Sequence, residues 1–196
     1  MNKAIFLDRD GTINEEVNYL KRTEDINILP NTAEALQKFK DLGFLNIIIT
    51  NQSGIARGFL NEDELNAIHD EFKKIINTET RVLIDDIFYS PYHTDGIIKK
   101  YTIESEDRKP GTGMILKARS KHNIDLGQSF FIGDSYADMK AAENAGIKKI
   151  LVRTGYGKNA YDKCAEERII LDYFADDLLD ASGFVESFIK KNHIKN

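Results

Sequence analysis

The chain has one cysteine, three prolines and no tryptophan in 196 residues. A lone Cys164 cannot form an internal disulfide, and a reducing compartment is the simple reading. No apolar run approaches the ~20 residues of a membrane-spanning helix, and the N-terminus lacks a signal-peptide pattern. The sequence therefore predicts a cytoplasmic protein. Nor is there an excess of basic charge. A net charge of −5 argues against a nucleic-acid backbone or an anionic membrane as the main partner. No repeat, low-complexity tract or linker interrupts the chain, so residues 1–196 read as a single domain, expected as a monomer rather than an oligomer. What is present, 41% hydrophobic and 30% charged residues, suffices for an ordinary folded core.

Apolar segments of strand length alternate with helical periods. Strands are expected at 4–7, 45–50, 81–89, 129–132 and 149–152, with weaker signals through Ala175. Asn31-Thr32-Ala33-Glu34 reads as a capping box opening a helix that ends at Gly43, and Asn61 to Glu64 as a second N-terminal cap. Further helices are expected at about 112–121, after Asp134 as far as Gly146, and at 180–191. Two long irregular stretches remain, 13–30 and 90–110. Alternation of this kind gives a parallel sheet with right-handed crossovers. Three strands end in reactive polar residues, Asp8, Thr50 and Asp134. If those ends form one site, the first strand lies between the second and fourth. The predicted fold is then a three-layer, Rossmann-like α/β fold with sheet order 3-2-1-4-5 and a switch point at the first strand.

The run Asp8-Arg9-Asp10-Gly11-Thr12 follows the first strand. Side chains two apart on a strand share a side, so Asp8 and Asp10 leave it as paired carboxylates. Like charges this close demand a counter-charge. Asp8 could attack phosphorus as a nucleophile, with Mg²⁺ held by Asp8, Asp134 and the main-chain oxygen of Asp10. Asp10 could protonate the leaving oxygen and then activate water. Thr50 and Asn51 could donate to phosphoryl oxygens, and Lys109 could balance the charge on them. Asp138 could orient a metal-bound water or position Lys109, or simply favour the helix dipole. Asp134-Ser135 could equally cap the following helix, Arg57 could be a solvated cation, and His69 reads as a surface residue.

These residues carry a resemblance. Phe6-Leu7-Asp8-Arg9-Asp10-Gly11-Thr12-Ile13-Asn14 resembles the first motif of the haloacid dehalogenase (HAD) superfamily of phosphatases. Thr50 through Gly58 (TNQSGIARG), Arg108-Lys109-Pro110-Gly111 and Gly133 through Met139 resemble the later motifs of one branch. That branch holds heptose-bisphosphate and histidinol-phosphate phosphatases. The resemblance implies Asp8 as nucleophile, Asp10 as acid/base, Asp134 in the Mg²⁺ site, Thr50 and Lys109 on the phosphoryl group, and Arg108 as a substrate-recognition residue. It also implies that Glu16, Val17, Asn18, Tyr19, Asn51, Gln52, Ser53 and Ser135 line the substrate.

Relatives commonly hold a structural zinc on Cys-x-His and Cys-x-Cys before the third motif; here those positions read Ser90-Pro91-Tyr92 and Ser105-Glu106-Asp107. No structural zinc is expected. Packing by Tyr92, Ile97, Ile98, Tyr101 and Ile103 is expected to hold the loop instead. No insertion leaves room for a large cap domain.

A sugar bisphosphate would use Arg57, Lys99, Lys100 and Arg108 as a second anion site, and the second motif favours the 7-phosphate of a heptose 1,7-bisphosphate. Histidinol phosphate is the alternative. A phospho-receiver module is disfavoured because its aspartate follows the third strand, whereas here Asp85 and Asp86 fall within it. A non-catalytic sugar-phosphate binder is disfavoured because every reactive group is present.

Overall fold

The structure is a computed structural model describing residues 1–77 and 80–193, with side chains described through residue 191. Its six strands are β1 (Lys3–Leu7), β2 (Phe44–Asn51), β3 (Asp86–Ser90), β4 (Phe130–Gly133), β5 (Lys148–Val152) and β6 (Tyr173–Ala175). Its helices are α1 (Thr32–Asp41), α2 (Glu62–Ile76), α3 (Gly113–His122), α4 (Tyr136–Ala145), α5 (Gly157–Glu166) and α6 (Leu178–His193). All sheet pairings are parallel and the order is β3-β2-β1-β4-β5-β6. The expected order is observed, extended by the short β6 at the edge, and no large cap interrupts it.

Alternation along β1 sorts the layers. Ile5 and Leu7 pack with Phe39 of α1, Phe72 of α2 and Val185 of α6. Ala4 and Phe6 face the other way, onto Met114 of α3, Met139 of α4 and Cys164 of α5. Ala4 through Leu7 have no exposed surface. A strand covered on both faces must be apolar throughout, which is why β1 reads as a continuous run. Each large side chain so buried contributes about 1.5–3 kcal/mol. Among the described residues, no helix is long and apolar enough to cross a membrane.

Three local expectations are corrected. Asn31 does not cap α1: it sits at φ 62°, left-handed, and its side chain makes no capping bond. Asparagine tolerates that conformation, and a turn from Leu29 to Thr32 imposes it here. The predicted strand at 81–89 begins only at Asp86. Ahead of it the Asn77 side chain takes the amides of Leu83 and Ile84, and Asp85 accepts from Lys40 and from the Asn46 amide. Ladder bonding is diverted, so Asp85 lies outside the strand. His69 is 5% exposed, not a surface residue.

The 13–30 stretch is folded down rather than loose. Asn14 Oδ1 accepts from the Asn27 amide at 2.7 Å, and Leu20 joins Ile55, Leu60, Leu65 and Ile68 in a small apolar cluster.

Candidate active site

The tips of β1, β2 and β4 converge. Leu7 pairs with Ile48 on one side and Ile132 on the other, and the Asp8 amide donates to the Ile132 carbonyl. Asp8 and Asp134 thus emerge side by side from adjacent strands, with Thr50 on the flank. Asp8, Thr50, Lys109, Asp134 and Ser135 line a cavity of about 150 Å³ that also touches Asp10, Glu16, Asn51 and Tyr156. An outer cavity of about 200 Å³ shares those last four residues and adds Asn18, Tyr19, Gln52 and Ser53. Most of the residues expected at the site therefore surround one two-part cleft.

Lys109 is the hub. Its ammonium group, 3% exposed for the residue, donates to the Ile49 carbonyl at 2.8 Å and lies 2.9 Å from Asp8 Oδ1 and 2.5 Å from Asp138 Oδ1. Three donors meet three acceptors. Burial works against its charge, yet Asp138 and Asp8 outweigh it and its pKa stands above the usual lysine value. Asn51 clasps the lysine's main chain: Oδ1 accepts the Lys109 amide at 3.0 Å and Nδ2 donates to its carbonyl at 3.1 Å. The sequence placed Asn51 on the phosphoryl oxygens; its Oδ1 and one Nδ2 hydrogen are engaged with the backbone that carries Lys109, and the residue lines both cavities.

The carboxylates crowd. Burial, then Asp138, push the Asp8 pKa up to about 7 against the pull of Lys109. Burial, then Asp8 and Asp138, push that of Asp134 up to about 8. Asp8, Asp134 and Asp138 each offer an oxygen within 4.8 Å of the others. Crowded hard oxygens with a deficit of positive charge fit a magnesium ion. Asp138 is already engaged: Oδ2 accepts from the Ser135 amide and hydroxyl, and Oδ1 meets Lys109. Ser135 and Asp138 form a capping box on α4, so the Ser135 hydroxyl serves the helix start as well as lining the cavity. Asp10 differs again. Its carboxylate accepts from Arg9 at 3.0 and 2.8 Å and from Gln52 at 3.0 Å, which leaves the main-chain oxygen as the atom by which it would meet a cation.

Gln52 also donates to Thr50 Oγ1, freeing the threonine's own hydrogen for the cavity. Glu16 is half-buried, its pKa raised by burial, and it accepts from the Asn18 amide. Asn18 and Tyr19 both hold positive φ, and Tyr19 packs edge-on to Phe59. Val17 stands apart: it is 39% exposed and outside the residues lining these cavities.

Neither Arg57 nor Arg108 is among the residues lining the two parts of this cleft; Arg108 lines a separate cavity with Thr94, Ile103 and Pro110. Arg57 Nη2 is 3.4 Å from His93 Nε2, and Arg108 Nη1 donates to the Tyr92 carbonyl at 3.2 Å. Burial and then Arg57 push the Arg108 pKa down, while Tyr19 of the outer cavity pulls it up. Lys100 turns away to Tyr101 and Glu62, and Lys99 is exposed.

The loop is held differently from expectation. Ile97, Ile98 and Ile103 are exposed rather than packed. The Ile97 and Ile98 amides both donate to the Ala56 carbonyl, and Tyr101 donates to Glu62 of α2 while its ring packs on Tyr92. Of the positions where the resemblance led to an expectation of cysteine, two serve local bonds, Ser105 Oγ accepting the Asp107 amide and Asp107 pairing with Lys117, while the buried Ser90 hydroxyl has no hydrogen-bond partner among the described residues.

Sequence reasoning gave the glycine-containing loop at Thr154–Gly157 no role at the site. The Tyr156 amide donates to Asp134 Oδ2 at 2.8 Å, and a methyl group on Gly155 or Gly11 would stand only 2.0 or 2.1 Å from that oxygen. Both glycines hold positive φ, so the carboxylate is seated on bare backbone. The signal was Thr154-Gly155-Tyr156-Gly157, one residue beyond the end of β5.

A HAD-hydrolase-like family model matches residues 106–181. The β-anomer heptose-1,7-bisphosphate 7-phosphatase of Haemophilus influenzae is 38% identical over 181 residues, 92% of this chain and 95% of its own length. The chain belongs to the heptose-bisphosphate phosphatase family of HAD-like hydrolases. The α-anomer enzyme of Photorhabdus laumondii is 44% identical over 155 residues, 79% of this chain and 84% of its own. The crystal structure of D,D-heptose 1,7-bisphosphate phosphatase from B. bronchiseptica, complexed with magnesium and phosphate, superimposes with a TM-score of 0.80 at 28% identity, covering 96% of this chain and 99% of that one.

Proposed function

We propose that this protein is a magnesium-dependent phosphomonoester hydrolase that works through an aspartyl-phosphate and removes the 7-phosphate of D-glycero-D-manno-heptose 1,7-bisphosphate. The observation that carries this reading is Lys109 bridging Asp8 and Asp138 at the floor of a cavity also lined by Thr50 and Asp134. The names of the relatives, and the magnesium and phosphate in the B. bronchiseptica structure, support it.

An Asp8 oxygen attacks phosphorus as the bond from phosphorus to the sugar oxygen breaks. Asp10 gives its proton to that leaving oxygen. It then takes one from the water that attacks the aspartyl-phosphate, releasing phosphate and restoring Asp8. Lys109 and the Thr50 hydroxyl hold the equatorial oxygens as their charge develops. Asp138 keeps Lys109 charged and aimed. Magnesium, held when bound by Asp8, Asp134 and the main-chain oxygen of Asp10, supplies the positive charge that offsets repulsion between carboxylate and phosphate. Arg57 and Arg108 take the second phosphate, which favours a bisphosphate over a phosphate that carries an amine.

The test sets both anomers of heptose 1,7-bisphosphate beside histidinol phosphate. Release of inorganic phosphate should require magnesium and vanish in Asp8→Asn, and kcat/KM for a bisphosphate anomer should exceed that for histidinol phosphate by about tenfold or more. Preference for histidinol phosphate overturns the substrate. Turnover surviving Asp8→Asn overturns the mechanism.

A further inference from the structure

Arg9 and His69 are buried beside the site, and the reaction as described uses neither. Arg9 has no exposed surface, and a guanidinium cannot rest there without partners. Its Nε and Nη2 grip both oxygens of Asp10 in a planar fork. On the far side, Nη1 lies 3.1 Å from His69 Nε2. A guanidinium only donates, so Nε2 accepts and the ring proton sits on Nδ1. Burial, then the charge of Arg9, push the His69 pKa down to about 3, and the ring stays neutral as that bond requires. The ring is anchored in turn: it projects from α2 and packs against Tyr89 of β3, centroids 5.6 Å apart. A helix and a strand thus hold the imidazole, the imidazole holds the fork, and the fork holds Asp10.

We propose that His69 is a positioning residue for proton transfer: by fixing Arg9 it aims the Asp10 carboxyl at the leaving oxygen. This rests on the reading of Asp10 as the acid/base. Without His69 the guanidinium can slide along its own plane and carry Asp10 with it, and proton transfer tolerates little misplacement.

The test uses leaving groups. The sugar alkoxide of the heptose bisphosphate needs a proton as it departs, whereas the phenolate of p-nitrophenyl phosphate leaves without one. In His69→Leu, kcat/KM for the bisphosphate should fall about tenfold while that for p-nitrophenyl phosphate stays within about twofold. His69→Gln, whose amide oxygen can accept from Arg9, should recover most of the loss. Asp10→Asn, which also slows the later hydrolysis common to both substrates, should show the same selectivity in stronger form when leaving-group release is followed over the first turnover. Equal losses on both substrates, or no loss, overturn the proposal. If Asp10→Asn is selective and His69→Leu is not, the acid/base reading stands and the His69 proposal falls. If Asp10→Asn is itself unselective, both fall. Thermal melts verify folding, and His69→Met, closer in volume, replaces a Leu variant that does not fold.

Discussion

Arg108 and Lys109 are consecutive, yet they sit in opposite environments. Lys109 is sealed at the strand tips with three acceptors on its ammonium group and a side-chain clasp on its backbone. Arg108 is half-buried beside a loop of exposed isoleucines, bonded to one carbonyl and facing another arginine. On the proposed reading the difference separates two tasks. Lys109, which would meet the transferring phosphoryl, is fixed by sheet and helix. Arg108, which would meet the rest of the substrate, follows a loop tied down by the Ala56 carbonyl and Glu62.

That division can be broken or sharpened by experiment. Lys109→Ala should lower kcat by about 10²–10³-fold with KM little changed, the mark of a group that acts in the transition state. A pure rise in KM would move Lys109 to the binding side. Arg108→Ala should do the reverse, raising KM for the bisphosphate about tenfold or more, the scale of one lost charge-assisted hydrogen bond. It should leave kcat, and turnover of a substrate with a single phosphate, nearly unchanged. A fall in kcat without change in KM would erase the distinction.

The crowded carboxylates add a pH signature. Asp8 and Asp134, raised to about 7 and about 8 in the fold, ionise near the ordinary value of 3.8 once unfolded. Between those values the native state binds more protons, so stability falls as pH rises. Melting of chelator-treated protein should therefore decline from about pH 5 to pH 8, and magnesium should flatten the slope. A Tm that rises over that range would refute the crowding. The loop carries the smallest expectation: protein purified without chelator should contain no stoichiometric zinc, and Tyr101→Phe should change KM only a few-fold, since one hydrogen bond contributes about 1 kcal/mol. One zinc per chain would show that the loop is held as in cysteine-bearing relatives.

The sheet order was legible because three strands end in chemically matched residues, Asp8, Thr50 and Asp134, and only one arrangement joins them. The cap at Asn61 was legible because its partner Glu64 lies three residues on. The same pattern failed at Asn31, where a preceding turn sets the backbone first. His69 was misread because a helical stripe marks which face is apolar but not which polar residue at its edge meets a buried cation from a distant strand. Tyr156 escaped because its contribution is a backbone amide, and side-chain identity says little about where an N–H points.

The Asn51 clasp has a consequence for how such an enzyme could diversify. Because the Asn51 side chain at the end of β2 grips the Lys109 peptide groups, the lysine need not inherit its place from the eighteen residues, 91–108, that lead to it from β3. Those residues can lengthen, shed a metal or trade one sugar for another while the hydrolytic machinery stays in tune. Loops with and without a metal site would then be interchangeable attachments on one framework of strand tips.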